Sequence, residues 1–275
     1  METILIPVDF SEKSKGIFEY GMQLAKEMNA ALIILHVYNI PVSAGDGLVE
    51  MPSYLTIEED NSAFLKEFER ELSEKYAFTN PIESLTISGF LIEEIAEIAA
   101  EKKVDLIIMG IHEAGKLAEF FLGSTSIRVI KKTSCPILII PEGAVYRPIN
   151  TIVFACSDIG EIIDTNAINQ VSKFTEFFNS KLLILNAVES FEKIDFQKTL
   201  FESKNLTVFE NIDYSIHFLS GENLINNIND FIENNNADLL IMIPKKHPLF
   251  SNLFQESNTK KMAFHSHIPL LAIHE

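Results

Sequence analysis

The chain contains one plan twice, and this repeat constrains its fold more than any other feature. Thr3-Ile4-Leu5-Ile6 returns as Thr151-Ile152-Val153-Phe154, and Leu32-Ile33-Ile34-Leu35 as Leu182-Leu183-Ile184-Leu185. Ser88-Gly89 returns as Ser220-Gly221, and Cys135-Pro136-Ile137-Leu138 as Ile268-Pro269-Leu270-Leu271. Between these two pairs, Val104-Asp105-Leu106-Ile107-Ile108-Met109 returns as Ala237-Asp238-Leu239-Leu240-Ile241-Met242. Matches that keep one order along the chain imply duplication of a whole folding unit, not of a single motif. A turn-rich link from Pro141 to Pro148 separates the copies, so the expected organisation is a module over residues 1–146 and a second over 147–275. A length of 275 residues suits two domains at roughly 150 residues each.

Inside each copy, short β-branched runs alternate with longer amphipathic stretches, the pattern of an α/β fold with a parallel sheet and helices on both faces. In the first copy the strands are expected at Thr3–Val8, Ala31–Val37, Ile82–Ile87, Val104–Met109 and Pro136–Ile140. Helices are expected over Ser11–Met28, with Ile17, Tyr20, Gly21, Leu24 and Met28 inward, and over Thr56–Tyr76, with Phe64, Leu65, Phe68 and Leu72 inward. Two more follow at Leu91–Lys102 and Ser124–Lys132. Asn234-Asn235-Asn236 precedes a strand and reads as a helix C-terminal cap.

Composition removes several function classes. Acidic residues number 39 against 22 basic, so the basic stripe needed to neutralise phosphates of a nucleic acid is missing, and none is expected as a partner. No apolar run approaches the roughly 18 residues of a membrane span, and strand-like sequence begins within two residues of Met1, so the expectation is a cytoplasmic protein with neither membrane partner nor leader. Cys135 and Cys156 form no CxxC pair, and each sits where a small apolar residue belongs. His265 and His267 are one residue apart, a spacing that points two side chains of a helix away from each other, so no metal is expected.

In an open parallel sheet, ligands bind beyond the carboxyl ends of the strands, where strand order reverses. Pro7-Val8-Asp9-Phe10-Ser11 follows strand one, and Gly110 follows strand four. Gly123-Ser124-Thr125-Ser126 then opens a helix, where free amide N–H groups, hydroxyls and the positive helix end together outline an anion site. The same serine and threonine are also what a helix N-cap requires.

Pro7-Val8-Asp9-x-Ser11, the Leu35-His36-Val37 strand end, Met109-Gly110 with Gly123-Ser124, and Cys135-Pro136 together resemble the universal stress protein family. The resemblance runs through both copies. It implies a five-stranded parallel sheet of order 3-2-1-4-5 in each module, with two modules pairing through their last strands, so that a tandem chain builds a pseudo-dimer internally. It also implies a site for adenine nucleotide, ATP or AMP, with Mg²⁺ accompanying ATP. In this sequence the implied site is Asp9 and Val37 around the adenosine, Gly110, Gly123, Ser124, Thr125 and Ser126 around ribose and phosphates, and Pro7, Val8, Met109 and Glu113 beside them.

One position departs from the family signature. Nine residues separate Gly123 from Glu113, which stands where nucleotide-binding members carry a second glycine. At ~5 Å and an effective dielectric of ~20, its charge opposes each phosphate charge by about 3 kcal/mol, less where solvent screens it. Weakened triphosphate binding is the expectation. In the second copy Asp9 becomes Ser157, Gly110 becomes Ile243 and Gly123-Ser124 becomes Glu256-Ser257, so that module is expected to be degenerate as a nucleotide site. The chain lacks a GxxxxGK[ST] lysine, so any hydrolysis is expected to be slow and the protein is not expected to be an enzyme. The alternative is an interaction or small-ligand scaffold without nucleotide, acting through its paired modules. A homodimer and an unidentified protein partner complete the expectations.

Overall fold

Aliphatic runs too short for helices and too apolar to face water become the central strands. The computed structural model describes residues 2–39, 54–110, 124–157, 165–187, 208–219, 224–243 and 267–274, which fall into two compact units. The first holds the described residues up to 110 and Ser124–Cys135; the second begins at Pro136. Glu113, Gly123 and the segment from Ile40 to Ser53 lie outside the described residues.

In the first unit, β1 (Thr3–Pro7) is flanked on one side by β2 (Ala31–Tyr38) and on the other by β4 (Leu106–Gly110), both parallel to it. Beyond β2 lies β3 (Ile82–Ser88), also parallel, which gives the order β3-β2-β1-β4. Every residue of β4 is buried, as expected of a strand covered on both faces. Helix α1 (Glu12–Met28) starts at its N-cap Ser11, whose side chain accepts from the Ser14 N–H. It ends at Asn29 in the left-handed region, a conformation asparagine tolerates. Helix α2 (Tyr54–Tyr76) lies along α1, joined by the Phe18–Phe68 ring contact at 5.2 Å and the Lys15–Glu71 and Lys75–Glu19 pairs. Helix α3 (Leu91–Glu101) packs with α4 (Ser124–Lys132).

The inward faces of α1 and α2 follow the sequence expectation except at Ile17 and Phe64: Tyr20, Gly21, Leu24 and Met28 of α1 and Leu65 and Leu72 of α2 are buried. Phe18, Met22 and Ala25 are fully buried in α1 whereas Ile17 is only half-buried, and in α2 Leu65 and Leu72 are buried while Phe64 is 65% exposed. A 3.6-residue period fixes an apolar stripe only to within a residue when both shoulders carry apolar side chains. Packing of the neighbouring helix then decides which shoulder turns in.

The second unit contains β5 (Ile137–Ile140) and the strands of the second copy: β6 (Thr151–Ser157), β7 (Lys181–Ala187), β8 (Tyr214–Leu219), β9 (Leu239–Met242) and β10 (Leu270–Ala272). Their order is β5-β10-β9-β6-β7-β8, so the second copy has the 3-2-1-4-5 arrangement. All its neighbours are parallel except β5 and β10, which pair antiparallel with Leu271 opposite Leu138. The last strands of the two copies therefore pair, as the resemblance implied. Helices α5 (Thr165–Phe178) and α6 (Leu224–Asn234) complete the described elements. Asn236 lies in the left-handed region just beyond α6, which bears out the capping reading of the asparagine run.

The two copies share a polar device as well as a hydrophobic pattern. Asp105 Oδ2 accepts from the Glu2 and Thr3 N–H groups at 2.7 and 3.1 Å, and Asp238 Oδ2 accepts from Asn150 and Thr151 at 2.8 and 2.9 Å. In each copy the aspartate before the fourth strand thus ties down the start of the first. Among the described residues, no helix is long and apolar enough to cross a membrane.

Candidate functional site

The strand order of the first unit reverses between β1 and β4, and the candidate residues after both strands meet there. Leu5 stands opposite Ile107, and continuing this register sets Val8 beside Gly110. Pro7 closes β1 without costing the ladder an essential donor, and Val8 is buried, its N–H donating to the Leu35 carbonyl at 2.9 Å.

A run of hydrogen bonds ties the turn from Val8 to Ser14. The Val8 carbonyl lies 2.9 Å from His36 Nδ1, and because a carbonyl only accepts, Nδ1 carries the hydrogen. The N–H of the same peptide, on Asp9, donates to Ser14 Oγ at 3.1 Å. Ser14 N–H donates to Ser11 Oγ at 3.1 Å, and Ser11 donates to Asp9 Oδ1 through both its hydroxyl at 2.6 Å and its N–H at 3.0 Å. Asp9, Ser11 and Ser14 therefore form a closed ring of hydrogen bonds around the N-terminus of α1. Between them Phe10 takes φ +62°, an uncommon conformation for a residue with a side chain. Its ring rests against His36 at 4.3 Å between centroids, with Phe68 at 5.9 Å and Phe64 at 6.3 Å.

Val37 follows His36 in β2, half-buried and opposite Ile87 of β3. On the other side of the switch point Met109 is buried, and Gly110 is the last residue of β4. Ser126, 3% exposed in the first turn of α4, donates its hydroxyl to the Gly110 carbonyl at 3.1 Å. That bond holds the start of α4 against the end of β4. Ser124 opens the helix, Thr125 is half-buried beside it, and no carboxylate occupies the first turn. The first N–H groups of a helix have no partners within the helix, so this end carries the positive potential of a helix N-terminus. Of the candidate residues, the structure brings Pro7, Val8, Asp9, Val37, Met109, Gly110, Ser124, Thr125 and Ser126 to one end of the first sheet; Glu113 and Gly123 are outside the described residues.

Sequence reasoning gave no role to Ser14, Phe10 or His36. The signal for Ser14 was present: a carboxylate followed at two and five positions by serines, just before an amphipathic run, is a helix-capping pattern. His36 belongs to the Leu35-His36-Val37 strand end that carries the resemblance, but its contact was not legible, since its partner lies in another strand and only the β1–β2 register brings them together.

In the second unit the corresponding positions differ. Ile243, 5% exposed, stands in place of Gly110, Cys156 in place of Val8, and a fully buried Asn186 in place of His36. Neither cysteine is placed for nucleophilic chemistry. Both are buried, and burial, together with the nearby Asp105 charge, pushes the Cys135 thiol up to about 12 while its Sγ–H donates to the Val104 carbonyl.

The model of the universal stress protein family matches residues 1–141. Universal stress protein MJ0531 of Methanocaldococcus jannaschii is 32% identical over 142 residues, 50% of this chain and 81% of that protein. Universal stress protein YxiE of Bacillus subtilis is 33% identical over 144 residues, 50% of this chain and 97% of its own. The crystal structure of a universal stress protein from Archaeoglobus fulgidus covers 99% of this chain and 96% of its own, with a TM-score of 0.74 at 19% identity. The sequence relatives each match half of the chain; the solved structure is similar in fold over both halves.

Proposed function

The chain belongs to the universal stress protein family, and from that premise we propose that its first module holds an adenine nucleotide, ATP or AMP, weakly and without efficient catalysis. The observation that carries this reading is the meeting of the Asp9 turn and the Gly110–Ser126 junction on the two sides of the β1–β4 switch point. The donor set suits the ligand. Asp9 offers a fixed carboxylate for hydroxyl or amine hydrogens, and the α4 start offers N–H groups and hydroxyls for phosphate oxygens. Gly110 leaves room for close approach at the strand end. When ATP is bound, Mg²⁺ supplies charge neutralisation for its phosphates. No lysine of the P-loop type is present to stabilise a transferring phosphoryl group, which is why turnover is proposed to be slow at most.

A second reading, an interaction scaffold without nucleotide, is favoured by one observation: Glu113 in place of the signature glycine. Calorimetric titration with ATP, ADP and AMP separates the two. Under the nucleotide reading AMP binds better than ATP, and Glu113→Gly tightens ATP by about tenfold or more, since a repulsion of order 1.4 kcal/mol is a factor of ten. Absence of heat from all three at millimolar concentration would leave the scaffold reading.

A further inference from the structure

We propose that His36 is a positioning residue of the first module's nucleotide site: it holds the Val8–Asp9 peptide and the Phe10 ring so that the Asp9 carboxylate is set before ligand arrives. The proposal rests on the nucleotide reading above. The peptide between Val8 and Asp9 is gripped by both of its polar groups, the carbonyl by His36 Nδ1 and the N–H by Ser14 Oγ. The Asp9–Ser11–Ser14 ring of hydrogen bonds is local to the start of α1 and does not fix where that turn stands relative to the rest of the sheet. The Val8 N–H bond to the Leu35 carbonyl anchors the strand end, and His36, 28 residues away in β2, adds the side-chain anchor on the Val8–Asp9 peptide itself.

Phe10 adds a second constraint. A side-chain-bearing residue at φ +62° persists where its surroundings hold it, and here the imidazole packs against the ring at 4.3 Å with an interplanar angle of 34°. The imidazole also lies nearly parallel to the Tyr38 ring, 6.4 Å away. One side chain therefore fixes both the residue before Asp9 and the residue after it. The second copy supports the pairing of roles. Where Ser157 replaces the carboxylate, Asn186 replaces the imidazole, so the two groups occur together in one copy and are absent together from the other.

Two substitutions in the full chain separate the contacts. His36→Phe keeps a ring against Phe10 and removes the donor to Val8; His36→Asn keeps a donor on the atom bonded to Cγ and removes the ring. AMP affinity, thermal unfolding without nucleotide, and hydrogen exchange at the Asp9 amide are measured for each. The expected result is that His36→Phe weakens AMP about tenfold and speeds exchange at Asp9, beyond any change in unfolding temperature, while His36→Asn stays within about threefold of the unaltered chain. Unchanged AMP affinity in His36→Phe would overturn the proposal, as would equal losses in both variants that follow their loss of stability. If the unaltered chain itself takes up no AMP, the nucleotide reading fails and the positioning role falls with it; if it binds and the variants bind equally, His36 alone loses its role.

Discussion

One hydroxyl fastens the end of β4 to the start of α4, and at the scale of single residues it is the most exposed point of the account. The Ser126 Oγ–Gly110 bond is buried, so Ser126→Ala leaves a carbonyl without its partner and is expected to cost about 1 to 2 kcal/mol in urea unfolding. AMP affinity should fall in the same variant, because the helix start loses its anchor to the strand end. Ser126 shows how far a residue can be read from sequence. Gly-Ser-Thr-Ser before a helix announces hydroxyls at an N-terminus, but which partner each one takes depends on a strand distant in the chain. Asp105 makes the same point from the other side: its place before a strand was legible, while its grip on the Glu2 and Thr3 amides required the β1–β4 register.

At the scale of elements, α1 carries two glycines with opposite expectations. A Cβ at Gly16 would meet nothing within 4 Å, whereas at Gly21 it would collide with Ile6 Cδ1 and come within 3.3 Å of Ile108 Cδ1. Both isoleucines are fully buried strand residues, of β1 and β4, so neither has room to give. Gly16→Ala is therefore expected to stabilise by about 0.5 to 1 kcal/mol through helix propensity and the unfolded chain. Gly21→Ala is expected to destabilise by about 1 to 3 kcal/mol through overpacking, despite the same gain in propensity. Denaturant unfolding of the two variants side by side checks both signs. Strands and helices themselves were legible from apolar period, and α4 begins and ends where expected. So was most of the inward face of α1 and α2; Ile17 and Phe64 were not, because they sit on shoulders of their stripes that only a packed neighbour can turn inward or outward.

At the scale of the whole chain, the repeat was the strongest signal in the sequence, and the structure extends it to hydrogen bonds. Asp105 and Asp238 clamp the starts of β1 and β6 alike, and Asn29 and Asn179 both take left-handed conformations before the second strand of each copy. The sequence boundary between the copies and the boundary between compact units are different lines. β5 belongs to the first copy by sequence, yet it stands in the second unit because its ladder is with β10. A linear repeat marks where a plan restarts and carries no information about which strands pair across copies. The copies also diverge where ligand chemistry is concerned: the first keeps Asp9, His36 and Gly110, and the second places Ser157, Asn186 and Ile243 there. The nucleotide reading therefore predicts one site in a chain with two modules. Native mass spectrometry of the full chain across an AMP titration tests it most directly. A single AMP per 275-residue chain, lost when Gly110 is replaced by isoleucine, is the predicted result; two AMP per chain, or none at millimolar nucleotide, would contradict it.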